Sequence, residues 1–145
     1  MRKKIYVMVQ RNIHGEWALR VEKQMLHAKV TGSTNKEACQ VWAEEVKEII
    51  LSSLGGGAVP WVYLVDGRHW EMASSDSWEA SNEFIEWISE HNCILCAFVL
   101  SKKIQRFALI NGLENQSVFQ VFFHYNEAYQ ACLDSLTEAQ KRHKE

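Results

Sequence analysis

Proline occurs once in the 145 residues, at Pro60, and glycine only seven times. No proline- or glycine-rich linker divides the chain, so a single domain over residues 1–145 is expected. Long apolar runs are missing as well. The longest, Ile94–Leu100, falls far short of the ~20 residues that span a bilayer. Neither sign of charge is in excess: the formal net charge is -2, which gives no electrostatic reason to expect nucleic acid as a partner. The basic start Met1-Arg2-Lys3-Lys4 is followed by no secretory apolar core and cleavage site. These features together predict a soluble, cytoplasmic protein.

Cysteine is sparse, and Cys39, Cys93, Cys96 and Cys132 are scattered. A chain of this length stands without disulfides. Cys93 and Cys96 have redox-motif spacing, but such pairs work at a helix start, where the dipole lowers a thiol pKa. Here they fall in an apolar strand, where a spacing of three predicts side chains on opposite faces. A zinc site would need two further ligands, and His91 alone is a poor supplement. Reduced core thiols, with no metal and no cofactor, are the expectation.

What is present is a globular composition, 47% hydrophobic and 23% charged. The organising stretch is Trp61–Trp87. It opens with the apolar run Trp61-Val62-Tyr63-Leu64-Val65 ending in Asp66, continues in polar residues, and leads to a helix with Trp78, Phe84, Ile85 and Ile88 at helical spacing. A buried strand, a loop and an amphipathic helix make half of a parallel crossover, and ligands or partners meet the carboxyl ends of such strands.

The rest arranges itself around that unit. Ile5–Val9 is a candidate edge strand. Trp17, Leu19 and Val21, then Leu26, Ala28 and Val30, alternate as half-buried strands, with Lys23-Gln24 as their turn. Neither turn residue favours the positive φ of a tight hairpin. Thr34-Asn35-Lys36-Glu37 fits a capping box ahead of a stripe at Ala38, Val41, Trp42, Val46, Ile49 and Ile50. Gly55-Gly56-Gly57 ends that helix, and the next helix is predicted from Asp76 to about Asn92. Ile94–Leu100 reads as a second buried strand. Ile104, Phe107 and Ala108 predict a short helix, and Val118–Phe123 the last strand. Asn126 is placed to cap a final helix, with a fraying tail from Ala139. Strands followed by alternating helix and strand predict an α/β domain with a mixed β-sheet and flanking helices.

Several of these residues carry a resemblance. They are Gly32-Ser33-Thr34-Asn35, Pro60–Asp66, Trp70-Glu71-Met72, Asn92-Cys93 before a strand containing Ala97, and the ending Val121-Phe122, Glu127-Ala128 and Leu133. Spanning roughly His14 to Leu136, they resemble the SpoIIAA-like branch of the STAS domains, the anti-sigma-factor-antagonist fold. The resemblance implies a regulatory module that binds a protein partner and is not an enzyme. Antagonists of the sporulation type carry Asp-Ser-Ser/Thr-Gly at the helix start after the central strand, with a phosphorylated serine. This chain reads Ala73-Ser74-Ser75-Asp76-Ser77-Trp78 there, with serines but with neither the following glycine nor a matching aspartate ahead; on that partial likeness Ser74 and Ser75 are the candidate phosphorylation sites. A receiver domain is the rival resemblance, because Asp66 ends a strand. It needs an acidic pair after the first strand and a lysine at the end of the last, and neither is present.

The candidate binding residues are Asp66, Arg68, His69, Trp70, Glu71, Ser74, Ser75 and Trp78. Acid–base chemistry would need Asp66, His69 and Glu71 beside a nucleophile or metal set, which the spacing does not supply. Trp70 is an anchor candidate for a partner, and Trp78 reads as packing. The serines cap a helix start, where an anion would also settle. Lys102, Lys103 and Arg106 read as a solvated turn. Two functions follow: a module that docks a protein through Asp66–Trp78, or one that holds a small apolar or lipid-like molecule in a cleft between helices. An enzyme of unknown type ranks third, and a homodimer is a candidate assembly.

Overall fold

Alternation places Trp17, Leu19 and Val21 on one side of the first strand, β1 (Glu16–Glu22), and the same period carries Leu26, Ala28 and Val30 onto that side of β2 (Met25–Thr34). The computed structural model describes residues 15–144, so the candidate strand Ile5–Val9 lies outside the described residues. The two strands form an antiparallel hairpin in which Glu22 faces Met25. Its turn closes with Lys23 at a φ of 53°, the left-handed region that a lysine enters only when the surrounding pairing holds it there.

Every later pairing is parallel. The sheet follows chain order, β1-β2-β3-β4-β5, with β3 (Trp61–Ala73), β4 (Cys93–Val99) and β5 (Phe119–Phe122). The Trp61–Val65 segment therefore lies in the interior of a five-stranded mixed sheet, as its unbroken apolar run predicts. Helices α1 (Lys36–Ser53), α2 (Trp78–Glu90) and α3 (Lys103–Gly112) join the parallel strands and cover the face that carries Trp17, Leu26, Tyr63 and Cys96. Helix α4 (Tyr125–Lys144) packs on the opposite face over Val62, Leu64, Ala97 and Val99. No helix among the described residues is long and apolar enough to cross a membrane.

Four local expectations are corrected. The N-cap of α1 is Asn35, whose Oδ1 accepts from the Ala38 amide at 3.0 Å. Thr34 is the last residue of β2, too early for that role. Asn126 falls inside the first turn of α4, which begins at Tyr125, with the Ala128 amide donating to the His124 carbonyl. That helix continues past Ala139 to Lys144. Cys93 and Cys96 share a face. Trp61 pairs with Cys93 but Val62 already pairs with Leu95, so Ile94 is an extra residue that reverses the alternation. All four thiols are free, and burial pushes Cys93 up to about 12 and Cys96 well above its ordinary value. Protonated at neutral pH, they are poor nucleophiles.

Candidate functional site

Beyond Asp66 the chain does not become a loop. β3 keeps pairing with β2, His69 opposite Thr31, Trp70 opposite Gly32 and Ala73 opposite Thr34, across two register shifts. Its pairing with β4 ends at Asp66 opposite Val99. The sheet therefore parts between β3 and β4 at the carboxyl ends of the parallel strands. Gly67 lets the two strands separate closely packed, since a Cβ there would lie 3.0 Å from the Phe98 ring.

Gln105 closes the parting. Its side chain, 2% exposed, donates from Nε2 to the carbonyls of Gly67 and Trp70. Its Oε1 accepts from the amides of Ser101 at 2.9 Å and Lys102 at 2.8 Å. One amide thus caps the start of α3 and fixes the freed edge of β3. Ser101 adds a hydroxyl bond to the Arg68 carbonyl at 2.8 Å. The sequence offers no sign of this role except a glutamine six residues after the strand end at Val99.

Asp66 is committed. Arg68 reaches back to it with Nε–Oδ1 and Nη2–Oδ2 both at 2.9 Å, and the Arg68 amide also donates to Oδ1 at 3.2 Å. Burial pushes this carboxyl up, but the Arg68 hydrogen bonds and charge outweigh it and hold it below its ordinary value. The guanidinium in turn lies 5.3 Å from the centre of the Tyr125 ring. An aspartate with both oxygens held by a guanidinium is neither a free base nor an open phosphoacceptor.

The other predicted residues divide. Arg68, His69, Glu71 and Met72 are exposed along the outer part of β3, with Glu71 accepting from the Ser33 hydroxyl at 3.4 Å. Trp70, expected to be available as an anchor, is instead buried at 5% exposure. The register shift between Asp66 and His69 turns it onto the face of Tyr63 and Val65, where Nε1 donates to the Thr34 hydroxyl at 3.2 Å and the ring meets Phe98 edge-on. Ser74 donates to Asp76 at 2.6 Å, and Ser77 is buried with its hydroxyl on the Ser74 carbonyl at 2.7 Å. Ser75 stays exposed at the start of a 3-10 turn, Ser75–Ser77. The turn postpones the regular helix to Trp78, two residues beyond the predicted start at Asp76. Trp78 is a packing residue: its indole lies so close to Gly112 that a Cβ there would sit 2.3 Å from the ring.

A surface that the sequence reading did not single out adjoins this region. Ile104 and Phe107, two of the apolar residues that predict α3 as a short helix, are 59% and 67% exposed. The buried side of α3 is Gln105 and Leu109, because Gln105 has to point at β3. With Phe123 and the charged Lys103 and Arg106, Ile104 and Phe107 line a groove of about 600 Å3. Phe123 also borders a smaller depression with Arg68, His124 and Tyr125. Arg68 and the exposed side of α3 thus lie on one continuous surface, joined by Phe123.

These features define a class: a single-domain α/β fold whose mixed sheet opens between β3 and β4, with three connecting helices on one face and one on the other. The fold is SpoIIAA-like. Its overall arrangement is shared with an uncharacterised protein of SpoIIAA-like fold from Shewanella loihica, at a TM-score of 0.56 and 19% identity over 86% of this chain and 99% of that one. An anti-sigma factor antagonist from Mycobacterium paratuberculosis gives 0.59 and 12% over 90% and 96%. The unphosphorylated anti-sigma factor antagonist SpoIIAA gives 0.56 and 6% over 90% and 98%. No family profile and no curated protein matches the sequence.

Proposed function

We propose that this chain is a non-enzymatic regulatory module that docks a protein partner at the carboxyl end of its parallel strands. The observation that carries the reading is the position of apolar side chains left in water. Of the seven large apolar residues exposed among the described ones, four, Met72, Ile104, Phe107 and Phe123, between 39% and 67% exposed, lie at or just beyond the carboxyl ends of β3, β4 and β5, whereas Leu51, Val59 and Leu133 are scattered elsewhere. Exposed apolar side chains gathered at one end of a fold, with charged neighbours such as Arg68, Lys103 and Arg106, have the make-up of a recognition surface. Two proteins of similar fold are anti-sigma factor antagonists, and an antagonist of that kind acts through another protein.

Within this reading, His69 and Glu71 flank the surface, and Ser75 is its point of control. Ser75 is the serine of the turn that remains exposed, whereas Ser74 is tied to Asp76 and Ser77 is buried. A phosphate on Ser75 would put strong negative charge beside the first turn of α2. Phe107→Asp and Met72→Asp, each shown to be folded by circular dichroism, should lose a partner that the wild type retains, while Leu51→Asp on the exposed side of α1 should keep it. Retention by all three variants would overturn the docking surface.

A further inference from the structure

The charges of this fold are sorted. The chain carries 18 acidic and 16 basic residues, yet no acid occurs between Glu90 and Glu114, nor between Glu114 and Glu127. Helix α3 is accordingly the one helix among the described residues without a carboxylate. Its exposed side carries Lys103 and Arg106 beside Ile104 and Phe107. With Phe123 these residues line the groove of about 600 Å3, and no acid lines that groove or the adjoining depression around His124 and Tyr125. Arg68, in that depression, has Asp66 as its partner. Lys102, Lys103 and Arg106 form no ion pair among the described residues. The surface therefore presents uncompensated positive charge around an apolar hollow, in a chain whose net charge is -2.

We propose that the partner meets this groove with an acidic, apolar-anchored segment. Its aromatic or aliphatic side chains enter between Ile104, Phe107 and Phe123, and the Asp or Glu residues beside them pair with Lys103 and Arg106. The proposal rests on the docking surface put forward above and adds the chemistry of what docks. Apolar anchors alone would bury in the hollow equally well from a basic or a neutral segment. The cations discriminate, because a basic segment sets like charges against each other and a neutral one desolvates them without partners. An anionic bilayer would satisfy the charges but not the shape. The hollow is concave, and α3 cannot lift into a membrane surface, since Gln105 and Leu109 hold its other side in the fold.

The test is a selection of random peptides displayed on phage against the full chain. Binding is then compared with Phe107→Asp and with the double variant Lys103→Glu, Arg106→Glu, each shown to be folded by circular dichroism. The wild type is expected to enrich peptides that combine aromatic or aliphatic residues with Asp and Glu. Once synthesised, these peptides should not bind Phe107→Asp, and should bind the double variant about tenfold or more weakly than the wild type. Their affinity for the wild type should fall as salt is raised. Peptides that need Phe107 but carry no excess of acid, or that bind the double variant as tightly as the wild type, would overturn the proposal and leave the docking surface standing. If no selected peptide needs Phe107, both fall, whether or not the chain floats with anionic lipid vesicles. A dimer in sedimentation that Phe107→Asp dissolves would give the groove to a second copy and overturn the proposal as well.

Discussion

His27 is 6% exposed and lies between Arg20, whose Nη2 is 3.2 Å from Nδ1, and Glu22, whose Oε1 is 3.3 Å from Nε2. Since a guanidinium can only donate, Nδ1 accepts and Nε2 carries the proton that is donated to Glu22. Burial and the Arg20 charge lower the imidazole pKa, and Glu22 opposes them. The folded value lies below the unfolded 6.5, so the unfolded chain takes up the proton first as pH falls. The stability linked to this group is intact above 6.5 and declines below it. Calorimetry should show the melting temperature falling from about pH 7 to about pH 5.5, and falling less in His27→Gln. Equal slopes would contradict this assignment. Trp70 makes the second prediction at this scale. Trp70→Ala empties a buried site and frees the Thr34 hydroxyl, so it should cost about 3–5 kcal/mol in urea unfolding. A cost under ~1 kcal/mol would show that Trp70 is not a packing residue. A strand period of two counted from Tyr63 and Val65 would have put Trp70 on the opposite face; the extra residue of β3 between Asp66 and His69, which no local pattern announces, brings it onto theirs.

At the scale of elements, the decisive feature is that β3 outlasts its pairing with β4. The sequence shows where the apolar run ends, at Asp66. It does not show that β2 continues to Thr34 and keeps the polar half of β3 extended, because a partner strand's reach is a long-range property. The same limit hid Gln105. Its four contacts come from residues 101, 102, 67 and 70, and two of those become neighbours only when the fold forms. Gln105→Ala should therefore unfasten two elements together. A loss of about 1–3 kcal/mol is expected, with hydrogen exchange quickening at both the start of α3 and Gly67–Trp70. Faster exchange at α3 alone would reduce Gln105 to a helix cap.

For the whole molecule, the alternation of strand and helix made the α/β class, the interior place of Trp61–Val65 and the covering helices readable from pattern alone. Burial on both faces writes itself into a continuous apolar run, and amphipathic helices into a 3.6-residue period. The candidate site was less legible, because a surface is assembled from residues distant in the chain. Arg68, Phe107 and Phe123 come from three segments and meet through the end of the sheet. The central claim is that this end is the docking surface. It is tested most directly by site-specific cross-linking, with a photoreactive residue placed in turn at Phe107, Phe123, Met72 and, as a control, Leu51, in cells of the source organism. The account predicts one common protein adduct at Phe107, Phe123 and Met72 and none at Leu51. Adducts confined to Leu51, or flotation of the chain with anionic lipid vesicles that Phe107→Asp abolishes and no protein adduct at the three sites, would contradict it.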